Sequence, residues 1–202
     1  MEIENLTLGG HASNSYLVTE GQDAVMIDCA VEPALLRERL AAKGATLHAI
    51  LLTHGHYDHY VRIRELREAF DAPVYLCEAD ADFPGDTVLN AYHVFFGVGT
   101  TFPPADRLFR DGDTLTFGAL TVSVMQTPGH TPGSVLYRVG NALFTGDTLM
   151  ACGYGRTTFA GGNTRAMRDS LQRIATLPHH LTIFPGHGEG TMLGTAIHNI
   201  FR

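Results

Sequence analysis

Apolar residues recur along the chain with two periods. The runs Asn14–Thr19 (NSYLVT) and Ala24–Asp28 (AVMID) are short and bounded by polar residues, and they predict strands. From Glu32 to Lys43, Leu35, Leu36 and Leu40 return at helical spacing, and Gly44 supplies the stop. Leu47–Thr53 reads as a buried strand, Tyr57–Phe70 as a second helix carrying Val61, Leu66 and Phe70, and Pro73–Cys77 as a further strand. The segment from Glu78 to Asp106 has no clear period and predicts a long excursion with some helix. Its His93, Phe95 and Phe96 are read as ordinary packing beneath that loop, in preference to a lid. Strands return over 114–125, 134–139 and 142–145. A helix over 164–177 carries Met167, Leu171 and Ile174; a short strand over 181–184 and a helix over 191–201 end the chain. No repeat or linker interrupts this order, so residues 1–202 read as one α/β domain. Its two halves share a layout that suits two packed sheets with helices outside.

Composition narrows the class. Hydrophobic residues make up 45% and charged residues 17% of 202, with mean hydropathy +0.02, which excludes a disordered or coiled-coil chain. The net charge is −7 and Lys43 is the only lysine, so no basic stripe exists for nucleic acid. The start, Met1-Glu-Ile-Glu-Asn, lacks the pattern of a signal peptide, and the longest strongly apolar run, Ala49–Leu52, is far too short to span a membrane. Cys29, Cys77 and Cys152 are far apart and odd in number, so free thiols and a cytoplasmic location are expected.

The 11 histidines change the picture. Thr53-His54-Gly55-His56-Tyr57-Asp58-His59 follows one predicted strand, and Gly55 is expected to let the backbone turn tightly. His130 in TPGHTPG, Asp147 in FTGD and His187 in PGHG each follow another. Strand ends are where α/β folds build sites. Any one of these histidines alone reads as a turn or core residue; five histidines and two carboxylates on four matching strand ends do not. Imidazole and carboxylate donors suit zinc, iron or manganese. Seven donors suit two divalent ions, with Asp147 the natural bridge and a hydroxide between metals about 3.5–4 Å apart. Zinc is the first expectation. A structural zinc site without catalysis fits poorly, because such sites are closed by Cys and His. Cys152 reads as a buried, inert thiol, His179 and His180 as a solvated turn, and His11 and His48 have no assigned role.

THGHYDH, followed by His130, Asp147 and His187 in that order, resembles the metallo-β-lactamase fold superfamily from about Asn14 to Asn199. Within it the chain is most similar to the small glyoxalase II branch, the hydroxyacylglutathione hydrolases. Gly153-Tyr-Gly-Arg156-Thr-Thr-Phe is similar to that branch's GxxGRTDF stretch, and Thr191-Met-Leu-Gly194 with Asn199 to its C-terminal end. The resemblance implies a four-layer αββα sandwich of two mixed sheets flanked by helices. It implies that His54, His56 and His130 hold one metal, that Asp58, His59 and His187 hold the second, and that Asp147 bridges them. Thr158 stands where the family usually has Asp. The chain is too short for the helical C-terminal domain of full-length glyoxalase II, and the family's lysine contacts to glutathione have no obvious substitute. A Cys in place of Asp147 would resemble one class of true β-lactamases, and HxExD in the first motif would resemble flavodiiron reductases; neither pattern is present.

The implied activity is hydrolysis of S-hydroxyacyl-glutathione-like thioesters by a metal-bridging hydroxide, with Asp58 and Asp147 the catalytic carboxylates. A thiolate leaves without a strong general acid. Tyr154 and Arg156 are the candidate substrate contacts, Arg156 for a carboxylate. The alternatives within the fold are a mononuclear-iron persulfide dioxygenase, using the places of His54, His130 and Asp147, and a lactonase or other ester hydrolase. The expected partner is a small thioester or ester, with neither nucleic acid nor membrane; nothing in the sequence sets an oligomeric state.

Overall fold

A computed structural model describes residues 1–7 and 13–202, so His11 lies outside the described residues. Strands β1 (Glu2–Asn5), β2 (Tyr16–Glu20), β3 (Asp23–Ile27), β4 (Thr46–Leu51), β5 (Val74–Cys77) and β6 (Arg107–Phe109) form one sheet in that order. Its first two pairings are antiparallel and the last three parallel. Strands β7 (Thr114–Phe117), β8 (Leu120–Gln126), β9 (Val135–Val139), β10 (Ala142–Gly146), β11 (Thr182–Pro185) and β12 (Thr191–Met192) form the other, parallel only between β10 and β11.

Strand alternation sorts the core into three layers of contact. Val18, Val25 and Ile27 of the first sheet meet Val122, Tyr137 and Phe144 of the second. On the outer face of the first sheet, Leu17, Met26 and Ile50 pack under helices α1 (Pro33–Lys43) and α2 (Ile63–Ala69), through Leu36, Leu40, Ile63 and Leu66. Beyond the second sheet, Leu136, Leu143 and Ile183 pack under α4 (Thr164–Ile174) and α5 (Leu193–Ile200). Helix α4 starts where Asn163 accepts from the Ala166 amide at 3.0 Å, and it buries Met167, Leu171 and Ile174 on one face. The result is the four-layer αββα sandwich.

Three elements differ from the sequence pattern, one of them the helix expected over 191–201, which begins at Leu193 after β12. The helix expected over Tyr57–Phe70 is a 3₁₀ turn at Tyr57–His59, followed by α2 from Ile63. The His59 carbonyl accepts from the Cys29 amide at 2.7 Å, so the Ile63 amide turns to Tyr60 instead and no helix runs through. The single strand expected over 114–125 is the β7–β8 hairpin; the Ala119 amide at its turn donates to Asp23 at 2.8 Å. The excursion after β5 holds a 3₁₀ turn at Glu78–Asp80 and the short helix α3 (Tyr92–Phe96). Among the described residues no helix is long and apolar enough to cross a membrane.

Candidate metal centre

The predicted residues converge at one end of the two sheets. His54, His56 and His59 follow β4, His130 follows β8, Asp147 follows β10 and His187 follows β11. The four imidazoles of His54, His56, His59 and His130 are buried, and the His54 ring centroid lies 4.9, 4.1 and 4.7 Å from those of the other three in that order. Donor atoms of His54, His56 and His130 lie within 4.8 Å of one another, and so do those of Asp58, His59 and His187. Asp147 stands between the two groups. Its Oδ2 is 3.5 Å from His130 Nε2 and 3.7 Å from His187 Nε2, and its Oδ1 is 3.4 Å from His59 Nε2. On the second group's side, Asp58 Oδ2 is 3.1 Å from His187 Nε2.

These atoms fit divalent cations. The Nε2 atoms of His54 and His59 and Oδ1 of Asp147 are buried with no hydrogen-bond partner among the described residues, which is costly for polar atoms with nothing to bind. His56 Nδ1 and His130 Nε2 face each other at 2.8 Å. Burial, reinforced by neighbouring imidazoles, holds His54 well below the ordinary histidine range. Burial pushes His56 down to about 3 and lowers His130 as well. Burial works against the charge on His59 too, but the carboxylates of Asp28 and Asp58 outweigh it and lift His59 well above the usual value. Burial likewise opposes ionisation of Asp58 and Asp147, and the imidazoles around each carboxylate hold both below the usual range. Three histidines with free lone pairs stand beside two ionised carboxylates, as a cation requires; Asp58 and Asp147 raise His187 as they do His59, so binding would displace protons from both.

Residues that the sequence reading did not single out hold this array. Asp28 ends the run after β3 with φ 57°, and its Oδ2 lies 2.7 Å from His59 Nδ1. The same carboxylate accepts from the Thr53 amide at 2.8 Å. It follows the strand-end rule that marked Asp147, and that rule was the available signal. Asp80 accepts from the Gly55 amide at 2.9 Å, the Thr131 hydroxyl at 2.7 Å and the Gly133 amide at 2.6 Å, fastening the loop of His54 and His56 to the loop of His130. Asn14 Nδ2 donates to the carbonyls of Pro185 and Gly188, and Tyr16 to that of Pro185, which anchor the His187 loop. His130 Nδ1 lies 2.6 Å from the Arg156 carbonyl, so the Arg156 loop is tied to the site through its backbone. Gly55 has no positive φ; the constraint there is space, since a Cβ would lie 2.4 Å from Phe83 Cβ.

A cavity of about 360 Å³ opens over the cluster, with Tyr154 and Arg156 in its wall. Phe95 also lines it, and Phe95 and Phe96 are half exposed, so they are not the buried packing expected of them. Helix α3 is too short to bring its rings under the loop. Cys152 is exposed rather than buried, at a turn closed by the Met150 amide and Gly153 carbonyl at 2.8 Å. Cys29 and Cys77 are buried free thiols, His179 and His180 lie on an exposed turn, and His48 pairs with Asp23 at 2.6 Å. A larger surface hollow of about 570 Å³ lies between Glu2, Glu4, Arg39 and Lys43; its charges already pair with one another, and it holds none of the predicted residues.

Sheets that deliver a clustered His/Asp set from their strand ends define a metallo-hydrolase fold. Residues 8–187 match the Metallo-beta-lactamase superfamily, and the chain belongs to it. It is 34% identical to the probable metallo-hydrolase YqgX of Bacillus subtilis, over 95% of this chain and 92% of that one. It is 30% identical to the probable polyketide biosynthesis zinc-dependent hydrolase BaeB of Bacillus velezensis, over 90% and 74%. Among solved structures, BLEG-1 B3 metallo-beta-lactamase superposes with a TM-score of 0.89 at 34% identity, covering 96% of this chain and 95% of that one. TTHA1623 in a di-iron-bound form superposes with 0.82 at 35% identity, covering 95% and 96%. Of these proteins, one is named for zinc and another was solved with iron.

Proposed function

We propose that this chain is a thioester hydrolase of the glyoxalase II type, working with two divalent ions, zinc foremost, and with S-hydroxyacyl-glutathione thioesters as the first substrates to test. The observation that carries this reading is the second donor group. Asp58, His59 and His187 assemble beside His54, His56 and His130, with Asp147 between, a donor set large enough for two ions. His54, His56 and His130 would hold one ion and Asp58, His59 and His187 the other, with Asp147 shared. When bound, such ions bring the pKa of water from about 15.7 toward about 7 and polarise a carbonyl.

The chain's own side chains account for the rest. Asp58 lines the cavity as an ionised carboxylate and orients the attacking water by accepting its hydrogen bond. Arg156 offers a guanidinium to an anionic end of the substrate. Phe159 and Phe95 exclude water from one side of the reacting carbonyl. The test is hydrolysis of S-lactoylglutathione by protein purified without chelator. Turnover that EDTA abolishes and zinc restores is the expected result. A sample loaded at both sites that hydrolyses no thioester, yet consumes oxygen with glutathione persulfide, would overturn it in favour of the oxidative reading.

A further inference from the structure

The cavity opens onto an exposed apolar shelf at Phe95. Helix α3 is caught between two left-handed residues, Ala91 (φ 61°) and Gly97 (φ 71°), and buries none of its side chains. Its root is fixed: buried Asn90 donates to the Thr100 carbonyl at 2.8 Å and accepts from the Tyr92 amide at 3.0 Å. Outward it presents Val94, Phe95 and Phe96, exposed by 50, 54 and 53%, with Val98 beside them at 61%. Scattered apolar residues on a surface need no explanation, but a contiguous cluster at the mouth of a cavity marks binding.

The cluster is continuous with the centre. Ring centroids run from Phe96 to Tyr57 at 5.6 Å, from Tyr57 to Phe95 at 5.5 Å, from Phe95 to Phe159 at 6.0 Å and from Phe159 to His56 at 5.6 Å. An unbroken aromatic path thus leads from solvent to a candidate ligand. Charge points the same way. Among the described residues Arg156 is the only Lys or Arg in the cavity wall, and its guanidinium lies 5.9 Å from the Phe159 centroid. A chain laid along Phe95 and Phe96 meets no charged group on those rings, whereas a carrier with two carboxylates meets a single guanidinium.

We infer that α3 is the acyl-binding wall of the site: the acyl half of the substrate is an apolar chain that lies along Phe159, Phe95 and Phe96, and Phe95 sets its accepted length. The inference rests on the thioester reading for its chemistry and specifies the acyl group that the reading leaves open.

The test uses the metal-loaded protein and the N-acetylcysteamine thioesters of acetate, butyrate, hexanoate and octanoate. The expected result is a kcat/KM that rises about two- to fourfold per methylene, mainly through KM, fourfold being the equivalent of about 0.8 kcal/mol for full burial. Phe95→Ala flattens the octanoyl-to-acetyl ratio and Phe95→Leu restores most of it; Phe95 is half exposed, so neither variant endangers the fold. Calorimetric titration with octanoate needs no turnover, and Phe95→Ala should weaken that binding about tenfold relative to wild type. A ratio that is flat or falls with length, or that Phe95→Ala leaves intact, overturns the inference while thioester hydrolysis stands. If no thioester is hydrolysed but octanoate binding still depends on Phe95, the thioester reading fails and the apolar wall survives. If octanoate binding is also indifferent to Phe95, both fail.

Discussion

Asp28 Oδ2 lies 2.7 Å from His59 Nδ1, although 31 residues separate the two in sequence. That contact fixes which nitrogen of His59 carries a proton and leaves Nε2 free to face Asp58 and Asp147. Both Asp28 oxygens accept hydrogen bonds, one from the Thr53 amide at 2.8 Å and the other from the Thr53 hydroxyl at 2.9 Å and from His59. Asp28→Asn must turn an NH₂ group toward one of these donors. We expect a loss of about 10–100-fold in metal affinity and of about 1–3 kcal/mol in stability. Competition with a chromogenic chelator measures the first and urea denaturation the second; unchanged affinity would show that Asp28 does not position His59.

Asp147 faces both donor groups, so its removal should not act as the loss of one ligand among seven. Asp147→Ala is expected to lower bound metal and thioester turnover together, with the stabilisation by metal falling in step. For the wild type that stabilisation is about 2.7 kcal/mol when free metal exceeds its Kd about 100-fold. Elemental analysis of metal per chain, thermal unfolding with and without EDTA, and activity would be read on the same preparation. A variant that keeps full metal and full activity sinks the shared-ligand assignment.

Much of this centre was legible because its signals are local. Each of the four segments ends a strand and carries its own Gly-rich turn, so His54, His130, Asp147 and His187 announce themselves within a few residues. What holds them is not local. Asp28 matters because β3 and β4 pair in parallel, with Ile27 opposite Leu51, which sets its carboxylate beside Thr53. Asp80 sits in a stretch without period, and its partners lie 25, 51 and 53 residues away. The break after His59 comes from a hydrogen bond made by Cys29, which the helical spacing of Val61, Leu66 and Phe70 does not reveal. The edge strands β1 (EIEN) and β6 (RLF) are too short and too exposed to carry a pattern. The α/β class was legible in the alternation of short apolar strands with helices, whereas the four-layer αββα order came from the resemblance that the His and Asp motifs carry.

Asp80 gives a pH signature. Burial raises its carboxyl to about 6, against the hydrogen bonds of Thr131, Gly133 and Gly55 that work to lower it. An acid whose pKa is higher folded than unfolded binds more protons in the native state. Its contribution to stability is therefore full below about 4 and is lost as pH rises to about 6, by roughly 3 kcal/mol for a two-unit shift. Asp80→Ala removes this dependence but leaves the Gly55 and Gly133 amides unpaired, at about 1–3 kcal/mol each. The stability gap between wild type and variant, measured in urea from pH 4 to pH 7.5, should narrow as pH rises. A gap that widens would mean the carboxylate is stabilised where it sits.

The space at Gly186 yields a separate prediction, because it couples backbone to ligands without touching chemistry. A Cβ at this position would lie 2.3 Å from Asp147 Oδ1 and 2.7 Å from His59 Cε1, closer than atoms can stand. His59 is held by Asp28, and Asp147 is the residue on which both donor groups converge. The φ of Gly186 is not positive, so Gly186→Ala brings no left-handed strain; the methyl group displaces two donors and presses on the Gly146 carbonyl carbon at 3.0 Å. Overpacking of this kind costs about 1–3 kcal/mol, and the displaced donors should weaken metal binding as well. We expect the metal-free variant to lose about that much stability in urea, while its metal affinity and turnover drop at least tenfold. Full metal affinity in Gly186→Ala would mean that the strand-end loops can part to admit a methyl group, and that the spacing of Asp147 and His59 is not what holds the centre together.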